Sequence, residues 1–159
     1  RFAAERGHPL LRHLVLMAPA TWDLAAAAEA FKRRHGRPLA ELLAPARALV
    51  EAGKGAQVMP GVGLLYCPGA DVTAESFTSY YAADARFDTP SILGEIKLPT
   101  LVVAASGDTV VPNLAARIKP IVDGKRLRFA LIDGADHFFL DLFAEDIGDQ
   151  VETLLKGGG

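Results

Sequence analysis

Thr100-Leu101-Val102-Val103-Ala104-Ala105-Ser106-Gly107-Asp108 is the stretch from which the rest of the chain can be read. Six residues without a charge, introduced by Pro99 and ended by Ser106-Gly107, have the look of a strand buried on both faces, as in a parallel sheet. Two other runs share that look. His13-Leu14-Val15-Leu16-Met17-Ala18-Pro19 lies upstream, and Arg126-Leu127-Arg128-Phe129-Ala130-Leu131-Ile132 lies downstream between Gly124 and Asp133-Gly134. Arg126 and Arg128 alternate with apolar neighbours, which predicts a strand at a sheet edge with one face partly wet.

Helical patterns separate the strands. Asn113 to Val122 sets Leu114, Ile118 and Ile121 on one face, with Pro112 tolerated in the first turn. Ala144 to Lys156 groups Ile147, Val151, Leu154 and Leu155, with Glu145 and Asp146 at the positive end of the helix. Single helices between strands imply right-handed crossovers and an α/β fold with three parallel strands. Residues 1–19 and 97–156 form this core, and residues 20–96 are a long, mainly helical insertion. Within it, helices are predicted from Asp23 to His35, from Pro38 through Val50 with Pro45 kinking or dividing it, and from Glu75 to Ala83. Residues 53–71 read as loop with a short strand at 63–67, and Asp88-Thr89-Pro90 starts a further turn. Arg1 to Gly7 reads as the last turns of a helix, so the chain is expected to begin inside a larger protein. Gly157-Gly158-Gly159 is expected to be a flexible tail.

Composition excludes several classes of function. Of 159 residues, half are hydrophobic and 23% are charged, the balance of a globular protein. The net charge of -2, with both signs interleaved, offers no nucleic-acid footprint. No apolar run approaches the ~18 residues of a membrane span. The single cysteine, Cys67, excludes an internal disulfide framework and fits a reducing, cytoplasmic compartment.

Two strand-end loops carry residues suited to catalysis, 105–112 with Asp108 and 133–139 with His137. Neighbouring strands lie ~4.8 Å apart, so an Asp just past one strand can reach a His just past the next. The Asp would accept the imidazole Nδ1–H and hold the tautomer whose Nε2 takes a proton. The two are 29 positions apart, room for one helix and one strand. Asp133 and Asp136 compete as the histidine's partner. Asp136 adjoins His137 and reads as a turn residue. His8, His13 and His35 have no metal-ligand spacing.

The run Ile96-Lys97-Leu98-Pro99-Thr100-Leu101-Val102-Val103, then Gly107-Asp108 and Val111-Pro112, then Gly134-Ala135-Asp136-His137, resembles the final third of an α/β-hydrolase. The resemblance implies a partial α/β-hydrolase fold with Asp108 as catalytic acid and His137 as base, and with residues 20–96 as cap or lid. It implies a serine hydrolase of the carboxylesterase or lipase kind, acting on a small-molecule ester through an acyl-enzyme, with no metal or organic cofactor.

One departure is plain. The family's nucleophile sits on a G-x-S-x-G elbow, and none of Ser76, Ser79, Ser91 and Ser106 lies in that motif. Ser106 reads as a turn residue beside Gly107, and Cys67 as a small loop or buried residue. The nucleophile is therefore expected outside this chain. The edge of the strand at 13–19 is then expected to pair with the missing N-terminal segment, with a second copy, or with a strand from its own cap. The rival expectation is an inactive hydrolase-like module used in binding or assembly.

Overall fold

Thr100–Ala105 lies at the centre of a three-stranded parallel sheet, and all six of its residues are buried. In the computed structural model, which describes residues 2–157, the chain begins with α1 (Phe2–Glu5) and β1 (Leu14–Met17). It continues through α2 (Leu24–His35), α3 (Leu39–Glu51), β2 (Val58–Met59), β3 (Val72–Thr73) and α4 (Ala74–Tyr80). Then follow α5 (Thr89–Ile92), the central strand β4 (Thr100–Ala105), α6 (Leu114–Ile118), β5 (Leu127–Ile132) and α7 (Phe143–Lys156). Arg1 and the last two glycines of the expected tail lie outside the described residues.

The sheet order is β1-β4-β5. Leu14 to Met17 pair with Thr100 to Val103, and Thr100 to Ala105 pair with Leu127 to Ile132. β4 is fully apolar beyond Thr100 because it has a neighbour on either side. β5 is an edge strand, as its arginine alternation predicts, with Leu131 exposed. Leu114 and Ile118 of α6 and Ile147 and Leu154 of α7 are buried in the core that contains the β4 residues. Two apolar residues leave their expected faces. Ile121 is exposed because α6 tightens at Ile118 into a 3₁₀ turn over Lys119–Ile121, around Pro120, which rotates it away. Leu155 is exposed because it is one position past Leu154, about 100° round the helix.

The chain divides into two compact units. One joins the residues up to Thr21 with those from Ala85 onward, and the other is Trp22–Asp84. The insertion that packs as its own unit is thus narrower than 20–96. Residues 85–96 belong with the sheet, because Leu93 and Ile96 fill its core and Asp88 is tied to α6. Asp88 is buried, caps α5 through the Ser91 N–H, and takes both Arg117 guanidinium nitrogens at 2.5 and 2.6 Å.

Trp22–Asp84 has a core of its own. Asp23 caps α2 by accepting from the Ala26 N–H at 2.7 Å, and Gly36 ends that helix in the left-handed region at φ 71°. α3 runs unbroken through Pro45, so of the expected kink or division the division does not occur. Pro45 and Glu41, whose carbonyl loses its donor, both lie on the exposed face, where water can replace the bond. Phe31 meets Phe77 and Tyr81 edge-on at 6.0 and 5.5 Å. The strand expected at 63–67 is only a Leu64–Cys67 bridge, whereas β2 and β3 pair antiparallel on either side of it.

Candidate active site

The loops after β4 and β5 are tied together before they reach their acidic and basic side chains. The Ser106 N–H donates to Ile132 O at 3.0 Å and the Gly107 N–H to Ala135 O at 2.9 Å. Residue 107 is glycine for a spatial reason. A Cβ there would stand 2.9 Å from Ala135 O, closer than side chains are found. Gly134, at φ 75°, turns the second chain back so that Ala135 can make this contact.

Beyond these ties, Asp108 and His137 come together. Nδ1 of His137 lies 2.9 Å from Oδ2 of Asp108. The other carboxylate oxygen, Oδ1, accepts from the Val110 and Val111 N–H groups at 2.7 and 2.9 Å. Asp108 as a whole residue is 7% exposed. Burial alone would raise its pKa. The Val111 N–H, His137 and the Val110 N–H outweigh burial and hold the acid below its ordinary value. An ionised carboxylate only accepts hydrogen bonds, so the proton between the two residues belongs to Nδ1. A neutral imidazole held this way has its lone pair on Nε2, across the ring from Asp108. The imidazole edge is partly open, with 27% of the side chain exposed.

The competing carboxylates are engaged elsewhere. Asp136 accepts from the Phe138 N–H at 2.9 Å, an Asx turn. Asp133 accepts from the Ser106 hydroxyl at 2.9 Å, while Ser106 Oγ accepts from the Gly134 N–H at 2.8 Å. Ser106 thus spends its hydroxyl on the neighbouring loop, and Cys67 is exposed in the other unit. Among the described residues, no group of three or more His, Cys, Asp or Glu could hold a metal ion. The Ser106–Asp133 tie was beyond sequence reasoning, because it depends on the register between β4 and β5.

A buried acid and a histidine on adjacent parallel strand ends, with the histidine last in sequence, invite comparison with solved structures. The chain superposes on the crystal structure of a Paleococcus ferrophilus monoacylglycerol lipase with a TM-score of 0.56 and 17% identity, over 99% of this chain and 63% of that one. It superposes on E-2-(acetamidomethylene)succinate hydrolase with a TM-score of 0.51 and 17% identity, over 97% of this chain and 60% of that one. The fold is that of an α/β-hydrolase, in part. The chain spans about three-fifths of the length of these structures. No protein-family model matches the sequence, and no curated protein matches it. In this partial α/β-hydrolase fold, β1, β4 and β5 supply the sheet, and the loops after β4 and β5 bring Asp108 and His137 together.

Proposed function

We propose that the chain is the acid–base part of a serine hydrolase acting on carboxylic esters, of the carboxylesterase or lipase kind. The observation that carries this reading is the 2.9 Å contact of His137 Nδ1 with a buried Asp108 at the ends of adjacent parallel strands. Two α/β-hydrolase-fold structures similar to it are those of a monoacylglycerol lipase and of E-2-(acetamidomethylene)succinate hydrolase.

In this scheme a serine from outside the 159 residues attacks the ester carbonyl carbon as His137 Nε2 takes its hydroxyl proton. The tetrahedral intermediate collapses when His137 returns that proton to the leaving alcohol, forming an acyl-enzyme. Water then repeats the cycle, giving its proton to Nε2 and releasing the acid and the free serine. Asp108 keeps Nδ1 protonated and steadies the imidazolium. No metal or organic cofactor enters any step. The family resemblance that supports this reading puts its cap in the segment inserted between these strands, here Trp22–Asp84 between β1 and β4. The open edge of β1 pairs with a strand from outside the chain or from a second copy. The single cysteine supports a cytoplasmic setting. No helix among the described residues is long and apolar enough to cross a membrane.

The test is a fluorophosphonate probe and a p-nitrophenyl ester, applied to the chain alone and to the chain joined to a segment carrying a G-x-S-x-G elbow. The expected result is no label on the chain alone, and label plus turnover, lost in His137→Ala, on the joined protein. An inactive joined protein with an intact fold would favour a module for binding or assembly. Label on Ser106 would place the nucleophile within these residues.

A further inference from the structure

Ile132 O and Ala135 O accept from consecutive residues of the β4 loop, Ser106 and Gly107, so residues 133 and 134 are looped out between the two bonds. A looped-out pair leaves a carboxylate and a backbone N–H without ladder partners. The Ser106 hydroxyl meets both: it donates to Asp133 Oδ1 at 2.9 Å and accepts from the Gly134 N–H at 2.8 Å. Each bond orients the other. With its hydrogen committed to Asp133, the hydroxyl oxygen turns its lone pairs toward Gly134. Ser106 is two residues before Asp108, and Gly134 three before His137, so this hydroxyl bridges the two loops just ahead of the acid–base pair.

We infer that Ser106 and Asp133 are positioning residues for the acid–base pair. They fix the offset between the two loops and so keep His137 Nδ1 on Asp108. This assignment rests on the functional reading of Asp108 and His137 given above. Ser106 is thus removed from the candidates for nucleophile, and Asp133 from the rivals of Asp108. A supporting group whose own hydrogen bonds are satisfied is what holds a catalytic contact to within a few tenths of an ångström. The backbone ties at Ile132 and Ala135 bring the loops near each other. The side-chain tie sets how residues 133–136 lie between them.

The measurement is the tautomer of His137 in the ¹⁵N-labelled chain, read from its ring-nitrogen shifts at mildly alkaline pH. In the unchanged chain the Nδ1–H form should dominate. Ser106→Ala and Asp133→Ala should each lower the ratio of Nδ1–H to Nε2–H by about 2- to 10-fold, the ratio one net hydrogen bond sustains. Ser106→Thr and Asp133→Asn keep the hydroxyl and the acceptor oxygen, and should keep the ratio. A merely structural role would lower thermal stability in the alanine variants and leave the tautomer alone, which would overturn the inference. Should Ser106→Ala lose the amide dispersion of β4 and β5, Asp133→Ala decides, since it removes only an exposed side chain. An Nε2–H form already dominant in the unchanged chain would overturn the functional reading instead. Because the readout needs no turnover, the two failures remain distinguishable.

Discussion

The central strand β4 has a neighbour on each flank, and the two flanks are finished differently. On the β5 side two arginines are tied to carbonyls, although Leu131 is 43% exposed. Arg126, just before the strand, donates to Leu93 O and Ile96 O at 3.2 and 2.7 Å, and Arg128 donates to Thr153 O at 3.0 Å. On the β1 side Met17 is 48% and Leu10 79% exposed. Beside that strand lies an apolar trough of about 480 Å³ lined by Phe2, Leu10, Leu11, Leu14 and Leu16 among others. Edge strands left bare and apolar are templates for another strand, whereas arginines beside an edge discourage one. In the proposed scheme the contrast separates two parts of the chemistry. Asp108 and His137 belong to the finished flank and need nothing beyond this chain to meet. In that scheme the nucleophile comes from outside the chain, and the unfinished flank is where an added strand would join.

The largest effect expected concerns the finished flank. In the chain joined to a nucleophile-bearing segment, Asp108→Asn should lower kcat by about 10⁴, because the amide favours the wrong histidine tautomer. Steady-state ester hydrolysis measures it. Turnover within a few-fold of the unchanged enzyme would mean that this flank is well packed but idle.

These two flanks were unequally legible in the sequence. The strands stood out because apolar runs with glycine or proline at their ends have few other uses, and the arginine alternation marked β5 as an edge. The residue types at the strand ends suggested that Asp108 and His137 could meet. What could not be read was whatever depends on register or on distant contacts. The Ser106–Asp133 bond requires knowing that Ala105 faces Ile132. The boundary at Asp84 requires the Asp88–Arg117 pair, whose members are 29 positions apart. β2 and β3, at two residues each, are too short for any periodicity to show.

The next effect concerns the bare flank. Leu14 and Ala18 direct their N–H groups to Pro99 O and Val103 O, and the alternation of a strand then turns those of Val15 and Met17 outward. The isolated chain should associate through this edge, with a solution mass above that of a monomer by light scattering. Val15→Pro removes only an outward donor and should weaken association by about tenfold or more while leaving the sheet folded. Leu16→Pro removes an inward donor and should unfold β1 from β4. A strictly monomeric chain would show that β1 is covered in some other way.

A smaller effect returns to Asp108, now through pH. Its carboxyl is held below the ordinary value of 3.8, so the folded state binds its proton less readily than the unfolded state does. The stability this contributes is present above about pH 4 and is lost as pH falls through the lower folded value. Chemical denaturation should therefore find the unchanged chain more stable than Asp108→Asn by about 1–3 kcal/mol at neutral pH, with the gap closing as the pH falls through the lower folded value. A gap independent of pH would mean that packing, not charge, fixes the loop.

The smallest effect tests whether the finished flank depends on a single residue. Arg128 reaches Thr153 O in the last turn of α7, where a cation also meets the negative end of the helix. The same carbonyl accepts from the Gly157 N–H at 3.2 Å, so it keeps a partner when the arginine is gone. Arg128→Ala should therefore cost only about 0.5–1.5 kcal/mol in denaturant unfolding. Its effect on association is more telling than its effect on stability. With Arg126 still holding the carbonyls of Leu93 and Ile96, the β5 edge should stay closed to other strands and the solution mass should not change. An increase in mass that Val15→Pro does not suppress would come from β5. It would show that one guanidinium, rather than the packing of α7, keeps that flank closed.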